Sequence, residues 1–408
     1  LKKRYIGEAK VLRAYNYYEL YTKFGDLPYT TKVLSIKESM SIARTAKATV
    51  IANVLADLDE VINGNYLPTS YDADNKGRIT RWAAMAIKAK IYLFEGNWTQ
   101  VKNITSTIMT EGGFKLFGSY AGLFEIANEY NSEVILDAQY RPTSREHQMM
   151  YVFLPPTLGG YSQLSPLQEL VDSYIMLDGK TIKETGTSFD ESHPYANRDP
   201  RLKATVMYTG NSYTLADGTE VVINCEKGEG KDGYGVGSDC SATGYYIKKY
   251  WDNTYRATLY SGLNPILIRY ADILLMNAEA LAELGELDKT AWDATIKPIR
   301  DRAGFTLASA LEFPEGASKD KLIEIVRNER RSELALEGHR HKDIIRWRIA
   351  DNVLNGWCHG LKTNDVVGTD DGYVRVENRT FNANKHYLWP IPQAERDLNG
   401  NLEQNPNW

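Results

Sequence analysis

The chain of 408 residues has no run of eighteen apolar residues, so the sequence predicts no helix that spans a bilayer. An excess of one charge is also missing, because 48 Lys and Arg stand against 53 Asp and Glu. Basic residues between 319 and 348 alternate with acidic ones, which argues against binding of a nucleic acid. The first residues, Leu1 to Arg4, contain no initiator Met and no apolar signal core, so we expect the start to be a truncation or a domain boundary.

Cysteine is scarce. Cys225, Cys240 and Cys358 are too few and too scattered for a zinc site or a disulfide framework. Cys225 and Cys240 bracket a glycine-rich loop, and a bridge between them would contribute about 3 kcal/mol, mostly by restricting the unfolded chain. Two free thiols are the alternative, and the sequence does not decide between them.

Signatures of catalysis and of cofactor binding are missing as well. The stretch GEGK at 228–231 lacks the Ser or Thr that follows Lys in a phosphate-binding loop. His339 and His341 are the only close pair of histidines, and their spacing of two excludes a zinc pair on one helix face. No Gly-x-Ser-x-Gly elbow occurs. We therefore expect neither a cofactor nor a metal site.

Charged residues stand where an apolar helix face is expected near the C-terminus. Leu322 and Val326 begin an apolar stripe that Arg330, Glu333 and Glu337 continue at helical spacing. Buried charges must be paired, so the sequence predicts an ion network among these residues or with Arg340, Asp343 and Arg346. Such a network is either catalytic or structural.

A catalytic role would make Glu333 and Glu337 the carboxylate pair of a glycosidase, which requires roughly 5 to 10 Å between the two groups. The nearby arginines, however, should lower the pKa of both carboxyl groups, whereas a general acid needs a raised pKa. We therefore interpret the set Arg330, Glu333, Glu337 and Arg340 as a structural ion network.

Helix signals divide the chain into three stretches. Residues 79–95 and 265–284 read as Ala-rich helices that end at Gly96 and Gly285, and each is followed by a shorter helix capped by Asn97 or Asp288. This pattern predicts a mostly α fold, with a scaffold of tetratricopeptide-like helix pairs over 1–111 and 263–408. Between them, 112–262 reads as an irregular, loop-rich subdomain with short strands, among them 151–154 and a type I′ hairpin at Asp217-Gly218.

Aromatic residues are the distinctive feature of that middle region. The chain has 27 Tyr and 8 Trp, and several of them lie beside Gly-rich or polar segments. Aromatic faces bury the apolar surface of sugar rings while polar neighbours bond the hydroxyl groups. We predict a glycan-binding face over 112–262, with Tyr161, Trp251, Tyr255 and Tyr234 as candidate contacts. For each ring alone, ordinary packing is the alternative.

Motifs along the whole chain resemble the SusD/RagB family, surface lipoproteins of Bacteroidetes-type Gram-negative bacteria. The matching segments occur in family order, at 7–15 with 24–28, 77–80 with 96–98, 168–172 with 178–180, 197–202, 268–280, 299–304, 327–340, and the tail 387–393 with 404–408. The resemblance implies a tetratricopeptide-like scaffold with a loop-rich half. It also places Tyr161 where starch-binding relatives have a binding aromatic residue.

The same resemblance implies a function and a location. It predicts a non-catalytic protein that captures glycans for a SusC-like TonB-dependent transporter, held by an N-terminal lipid on the extracellular face of the outer membrane. A signal peptide, a lipid-attachment Cys and leading helices are then expected before this sequence. Two alternatives stay open from the residues alone: a glycoside hydrolase that uses Glu333 and Glu337, and a helical-repeat adaptor for a peptide or protein.

Overall fold

The computed structural model describes residues 1–254, 260–363 and 370–408. Within those ranges the chain is mostly helical. The α-helices, numbered α1 to α16 in chain order, are Lys2–Phe24, Ile36–Ser39, Lys47–Asn63, Arg81–Phe94, Trp98–Glu111, Met149–Phe153, Gln168–Val171, Pro200–Thr205, Tyr270–Leu284, Lys289–Ala294, Ile296–Ala303, Ala308–Leu311, Lys319–Glu333, Arg340–Arg346, Ala350–Val353 and Gln393–Leu398. Short 3-10 helices cover Ala73–Asn75, Gly122–Phe124, Ile126–Asn128 and Pro156–Leu158.

The strands of the described residues are short and form only two-stranded antiparallel sheets. They are, as β1 to β8, Val134–Asp137, Val206–Met207, Ser212–Thr214, Glu220–Val222, Tyr246–Ile247, Ile266–Arg269, Gly356–Lys362 and Tyr373–Arg379. β1 pairs with β6, β2 with β5, β3 with β4, and β7 with β8. Because a two-stranded sheet has little stability of its own, these ribbons depend on the packing around them.

The chain divides into two compact units. The first comprises Leu1–Gly113, Arg340–Asn355 and Thr380–Trp408, and the second comprises Phe114–His339 and Gly356–Arg379. The boundary at residue 113 lies close to the expected end of the N-terminal stretch. The expected stretch 263–408, in contrast, is shared between both units, because most of it packs with the irregular region while the tail 380–408 packs with the N-terminal helices.

In the first unit α1 packs on α3, and α4 packs on α3 and α5. The small residues of α4 are fully buried, which allows its neighbours to approach closely. The tail is fixed to the end of α1: the Trp389 amide donates to the Lys23 carbonyl at 2.7 Å, and the Asn405 side chain donates to the Phe24 carbonyl at 3.0 Å. These bonds satisfy carbonyl groups that have no partner inside the helix.

In the second unit α9 is buried along most of its length and packs on α13. A helix was expected over 265–284, but its first residues form β6, because the pairing with β1 uses their backbone groups. The strand expected at 151–154 is also wrong: these residues lie in and just after α6. A run of four residues is too short for its periodicity to separate strand from helix.

The predicted hairpin at Asp217-Gly218 is present, since β3 pairs with β4 across it. Its turn is not type I′, because only Gly218 has a positive φ, of 84°. The Asp217 carboxylate instead accepts a hydrogen bond from the Thr219 amide at 2.9 Å and closes the turn locally. Among the described residues, no helix has both the length and the apolar character needed to cross a membrane.

Candidate functional site

The expected ion network lies at the centre of the second unit, and it is larger than the sequence predicts. We call it the charge cluster, and all of its side chains are at most 7% exposed. Its members are the carboxylates of Glu133, Asp199, Glu329, Glu333 and Glu337 and the cations of Arg201, Lys249, Arg269, Arg300 and Arg302. Five negative groups thus face five positive groups.

Glu333 is the most connected carboxylate of the charge cluster. Arg269 donates to its Oε1 at 2.6 Å, Arg201 donates to its Oε2 at 2.8 Å, and Arg302 also bonds its Oε1. Arg269 and Arg302 reach Glu133 as well, at 2.7 and 3.0 Å. Glu333 therefore holds three guanidinium groups in one place, each of them shared with another carboxylate.

Glu337 extends the charge cluster towards Lys249. Its carboxylate accepts a hydrogen bond from Lys249 at 2.6 Å and two from Arg269 at 2.8 Å. The Lys249 ammonium also donates to the Tyr120 hydroxyl at 2.9 Å and lies 4.2 Å from the centre of the Phe124 ring. Every donor position of this buried ammonium is thus directed at an acceptor or at an aromatic face.

The electrostatics of the charge cluster oppose acid catalysis. Burial alone would raise the pKa of Glu333, but the surrounding guanidinium groups outweigh it and hold the pKa well below the ordinary value. Arg269 and Lys249 likewise outweigh burial at Glu337, so its pKa is also lowered. Both side chains are at most 1% exposed. At neutral pH both carboxylates are therefore ionised and paired, and neither is accessible to solvent.

The partners that the sequence suggested for these carboxylates are different ones in the structure. Arg330 pairs with Asp272 at 2.6 Å, Arg346 pairs with Asp343 at 2.8 Å, and Arg340 lies over the Trp347 ring. The reason is local: α13 ends at Glu333, so the helical spacing assumed between residues 330 and 340 does not exist.

The chain then turns before α14. Leu336 and Gly338 both have positive φ in this turn, at 64° and 80°. Glu337 reaches Arg269 from this turn and not from a helix face.

Tyr161 forms an exposed aromatic surface in the same unit. Its ring stacks on that of Tyr151, with centroids 4.3 Å apart and planes inclined by 29°, and the residue is 40% exposed. The Tyr161 amide donates to the Tyr151 carbonyl at 3.0 Å, which fixes the two residues side by side. We call this pair the tyrosine ledge. Tyr151 was not among the predicted glycan contacts, because residues 151–154 were expected to form a strand.

The loop that carries the tyrosine ledge is held tightly from beneath. An added Cβ on Gly160 would lie 2.1 Å from the Leu154 carbonyl oxygen, so only glycine allows this approach. The buried carboxylate of Asp232 accepts hydrogen bonds from the Thr157 amide at 2.8 Å and its hydroxyl at 2.5 Å. The segment before Tyr161 is therefore held by a close backbone approach at Gly160 and by the Asp232 carboxylate at Thr157.

The other candidate aromatic residues have different neighbours. Trp251 contacts Tyr213 edge to face at 5.1 Å, and its indole N–H donates to the Thr214 carbonyl at 2.8 Å. Tyr234 packs against the buried apolar cluster that includes Phe153, and Trp251 packs there too. Tyr255 lies outside the described residues.

The three cysteines are free thiols, so the bridge between Cys225 and Cys240 is not formed. Burial raises the pKa of Cys225 to about 12, while the Cys240 thiol donates to the Lys231 carbonyl at 3.3 Å. In the part of the chain that the structure describes, no group of three or more His, Cys, Asp or Glu side chains is arranged to hold a metal ion.

Comparison with known proteins assigns the chain to a family. The SusD family model matches residues 123–408, and a model described as "Starch-binding associating with outer membrane" matches residues 2–93. The chain belongs to the SusD family. The tyrosine ledge and the charge cluster both lie within the range that the SusD model covers.

Individual relatives agree with this assignment. SusD-like protein P25 of Formosa agariphila is 28% identical over 373 residues, which are 86% of this chain and 64% of that protein. A SusD-like carbohydrate binding protein from Bacteroides fragilis superposes with a TM-score of 0.88 and 30% identity, covering 98% of this chain and 80% of the relative. A second SusD-like protein from B. fragilis gives 0.83 and 28%, over 100% and 80%. The helical SusD fold is thereby confirmed.

Proposed function

We propose that this SusD-family protein binds oligosaccharide or polysaccharide at the tyrosine ledge. The observation that carries the proposal is the pair of stacked rings, one of them 40% exposed, on a loop fixed by Gly160 and Asp232. A rigid aromatic surface loses little entropy when a sugar ring covers it. The B. fragilis relative described as carbohydrate binding supports the same function for this fold.

The protein acts without catalysis in this proposal. The two glutamates that could serve a hydrolase, Glu333 and Glu337, are buried and bound by four cations of the charge cluster. No substrate can reach them without breaking a network of charge-assisted hydrogen bonds. Their lowered pKa values also remove the proton that a general acid must donate.

The cellular role follows from the family. We propose that the whole protein is attached by an N-terminal lipid to the extracellular face of the outer membrane and delivers glycan to a SusC-like TonB-dependent transporter. The description of the model that matches residues 2–93 supports association with the outer membrane. The chain spans 64% of the length of SusD-like protein P25.

Calorimetric titration with hexasaccharides of α-glucan, β-glucan, β-mannan and xylan tests the binding proposal. Tyr161→Ala should weaken binding of the preferred hexasaccharide about tenfold, because one ring face of apolar contact is lost. Tyr161→Phe keeps that face and should bind nearly as well as the wild type. Tyr5→Ala removes a tyrosine of α1 that is 49% exposed, slightly more than Tyr161, and serves as the control.

Equal affinities of wild type and Tyr161→Ala, with unchanged unfolding midpoints, would remove the tyrosine ledge from the site. Reducing ends released from any of the hexasaccharides, with release abolished by Glu333→Gln in a folded protein, would instead establish the hydrolase. Binding of a peptide with no binding of any hexasaccharide would favour the adaptor.

A further inference from the structure

A cleft of about 860 Å³ lies in the second unit, and neither tyrosine of the ledge lines it. Ligand clefts in proteins span about 300 to 1,000 Å³, so this one can accept a short oligosaccharide. Three loops and the end of β7 form it. Its lining residues are Ser192, His193, Pro194, Tyr195, Ala196, Tyr208, Thr209, Gly210, Glu226, Lys227, Glu229, Leu361, Lys362 and Thr363.

A second stacked tyrosine pair lines this cleft. The rings of Tyr195 and Tyr208 lie 4.0 Å apart and are inclined by only 17°. The Tyr195 hydroxyl is 3.2 Å from that of Tyr245, which donates to Gln168 at 2.6 Å. The stack is therefore held in place before any ligand arrives, as the stack of the tyrosine ledge is.

The rim of the cleft is polar and structurally defined. In the loop from Cys225 to Tyr234, the Tyr234 amide donates to the Cys225 carbonyl at 3.1 Å and the Gly228 amide donates to the Tyr234 carbonyl at 3.0 Å. This loop directs Glu226 and Glu229 to the rim. Tyr234, expected from sequence to contact glycan, thus shapes the rim of the cleft through its backbone.

The opposite wall is fixed by a buried arginine. The Arg198 guanidinium donates to the carbonyls of Val171, Tyr174 and Pro194 at 2.6 to 2.8 Å, which anchors the loop that carries Tyr195. On the exposed side of that loop, the Lys362 ammonium pairs with Glu191 at 3.0 Å. The lining of the cleft therefore holds hydrogen-bond donors and acceptors as well as the stacked tyrosines.

We propose that the cleft is a second oligosaccharide site, which rests on the proposed function and extends it from one locus to two. The aromatic stack would bury the face of a sugar ring, and the rim carboxylates and amines would bond its hydroxyl groups. Glu191 already pairs with Lys362, so Glu226 and Glu229 share the rim with one further cation, Lys227, and the cleft suits an uncharged chain better than a sulfated or uronic one. Two loci on one protein raise its avidity for a long polysaccharide.

Calorimetry measures hexasaccharide stoichiometry and affinity in the wild type and five variants. Tyr208→Ala removes a ring of the cleft stack, and Tyr208→Phe, which keeps the ring, is its control. Ala196→Trp fills the cleft from an exposed position, so it blocks the site without removing a buried contact. Tyr161→Ala alone and Tyr161→Ala combined with Ala196→Trp complete the set, and unfolding midpoints verify that each variant is folded.

We expect the wild type to bind a second equivalent, which Ala196→Trp abolishes and Tyr208→Ala weakens about tenfold. Tyr161→Ala should keep that binding, and the double variant should retain only the ledge binding, weakened about tenfold. A single equivalent that Tyr161→Ala weakens and Ala196→Trp leaves unchanged would overturn the second site while the tyrosine ledge stands. Absence of any hexasaccharide binding by the wild type would overturn both.

Discussion

Replacing Glu333 by Gln tests whether the charge cluster is structural. The substitution keeps the size of the side chain but removes the negative charge that three guanidinium groups share. The cluster then has five cations and four carboxylates, so one buried positive charge has no counterpart. The amide group would also point N–H donors at arginine N–H donors.

The magnitude follows from known behaviour of buried ion pairs. Removing one partner costs about 3 to 5 kcal/mol, because the other charge stays buried and uncompensated. Total stabilities of domains are about 5 to 15 kcal/mol, so Glu333→Gln should remove about a fifth of the free energy of unfolding or more. With a urea m value of about 3 kcal/mol/M, the unfolding midpoint should fall by about 1 to 1.7 M.

The stability of the same variant should also depend on pH. The pKa of Glu333 is lower in the folded chain than in the unfolded chain, where it is about 4.3. Its stabilising effect is therefore complete above about pH 4.3 and is lost progressively as the pH falls below that value. The stability difference between wild type and Glu333→Gln should accordingly be larger at pH 6 than at pH 3.

The control is Glu38→Gln, which breaks an exposed pair with Lys32 and should leave the midpoint nearly unchanged. A midpoint for Glu333→Gln no lower than that of the control would refute the structural role. If the protein were a hydrolase, Glu333→Gln would remain stable and would lose its hydrolytic activity.

Three further outcomes are expected. Gly160→Ala should lower both stability and hexasaccharide affinity, because the added Cβ meets a backbone oxygen. Gly118→Ala places its Cβ in open space and should change neither quantity. Equal effects of the two substitutions would show that the ledge loop can relax. Under native conditions Cys240 should react with Ellman's reagent well before Cys225, because burial raises the pKa of Cys225 to about 12. If neither thiol reacts after the chain is unfolded, the bridge between them has formed. Trp251→Phe should cost about 1 kcal/mol through one lost hydrogen bond, and weaker glycan affinity at unchanged stability would instead assign Trp251 to the site.

Local signals account for the parts of the fold that the sequence predicts well. Gly285 closes α9 with a left-handed conformation, and Asn97 and Asp288 cap the helices that follow the Gly turns. Such signals involve neighbours within four residues, so one chain segment contains all of the information. The strand at β6 lacks that property, because its partner β1 lies about 130 residues away.

The charge cluster shows the same limit at the level of the site. Helical periodicity identified Glu333 as a buried charge, since this requires only the segment in which it occurs, whereas Glu337 is buried from the turn after α13. The cations of both come from positions 31 to 132 residues distant, on α8, the β5–β6 connection, β6 and α11. No pattern in one sequence specifies which of the 48 Lys and Arg residues pairs with which carboxylate.

The loop-rich unit explains why such a cluster is needed at its centre. Its sheets have two strands each, so their hydrogen bonds hold only pairs of neighbours together. Arg269 contacts Glu133, Glu333 and Glu337, and thereby joins the residue before β1, α13 and the turn after it at a single side chain. A neutral network of this kind fixes several distant segments at once, because seven of its ten charges pair with more than one opposite charge.

This arrangement also separates residues that can be substituted freely from residues that cannot. Loss of any member of the charge cluster leaves one buried charge uncompensated, so its ten residues constrain one another. Tyr161 and Ala196 lie at the surface, and changing them exposes no buried charge. Ligand preference can therefore change by substitution at the tyrosine ledge or in the cleft, while the scaffold that positions both stays the same.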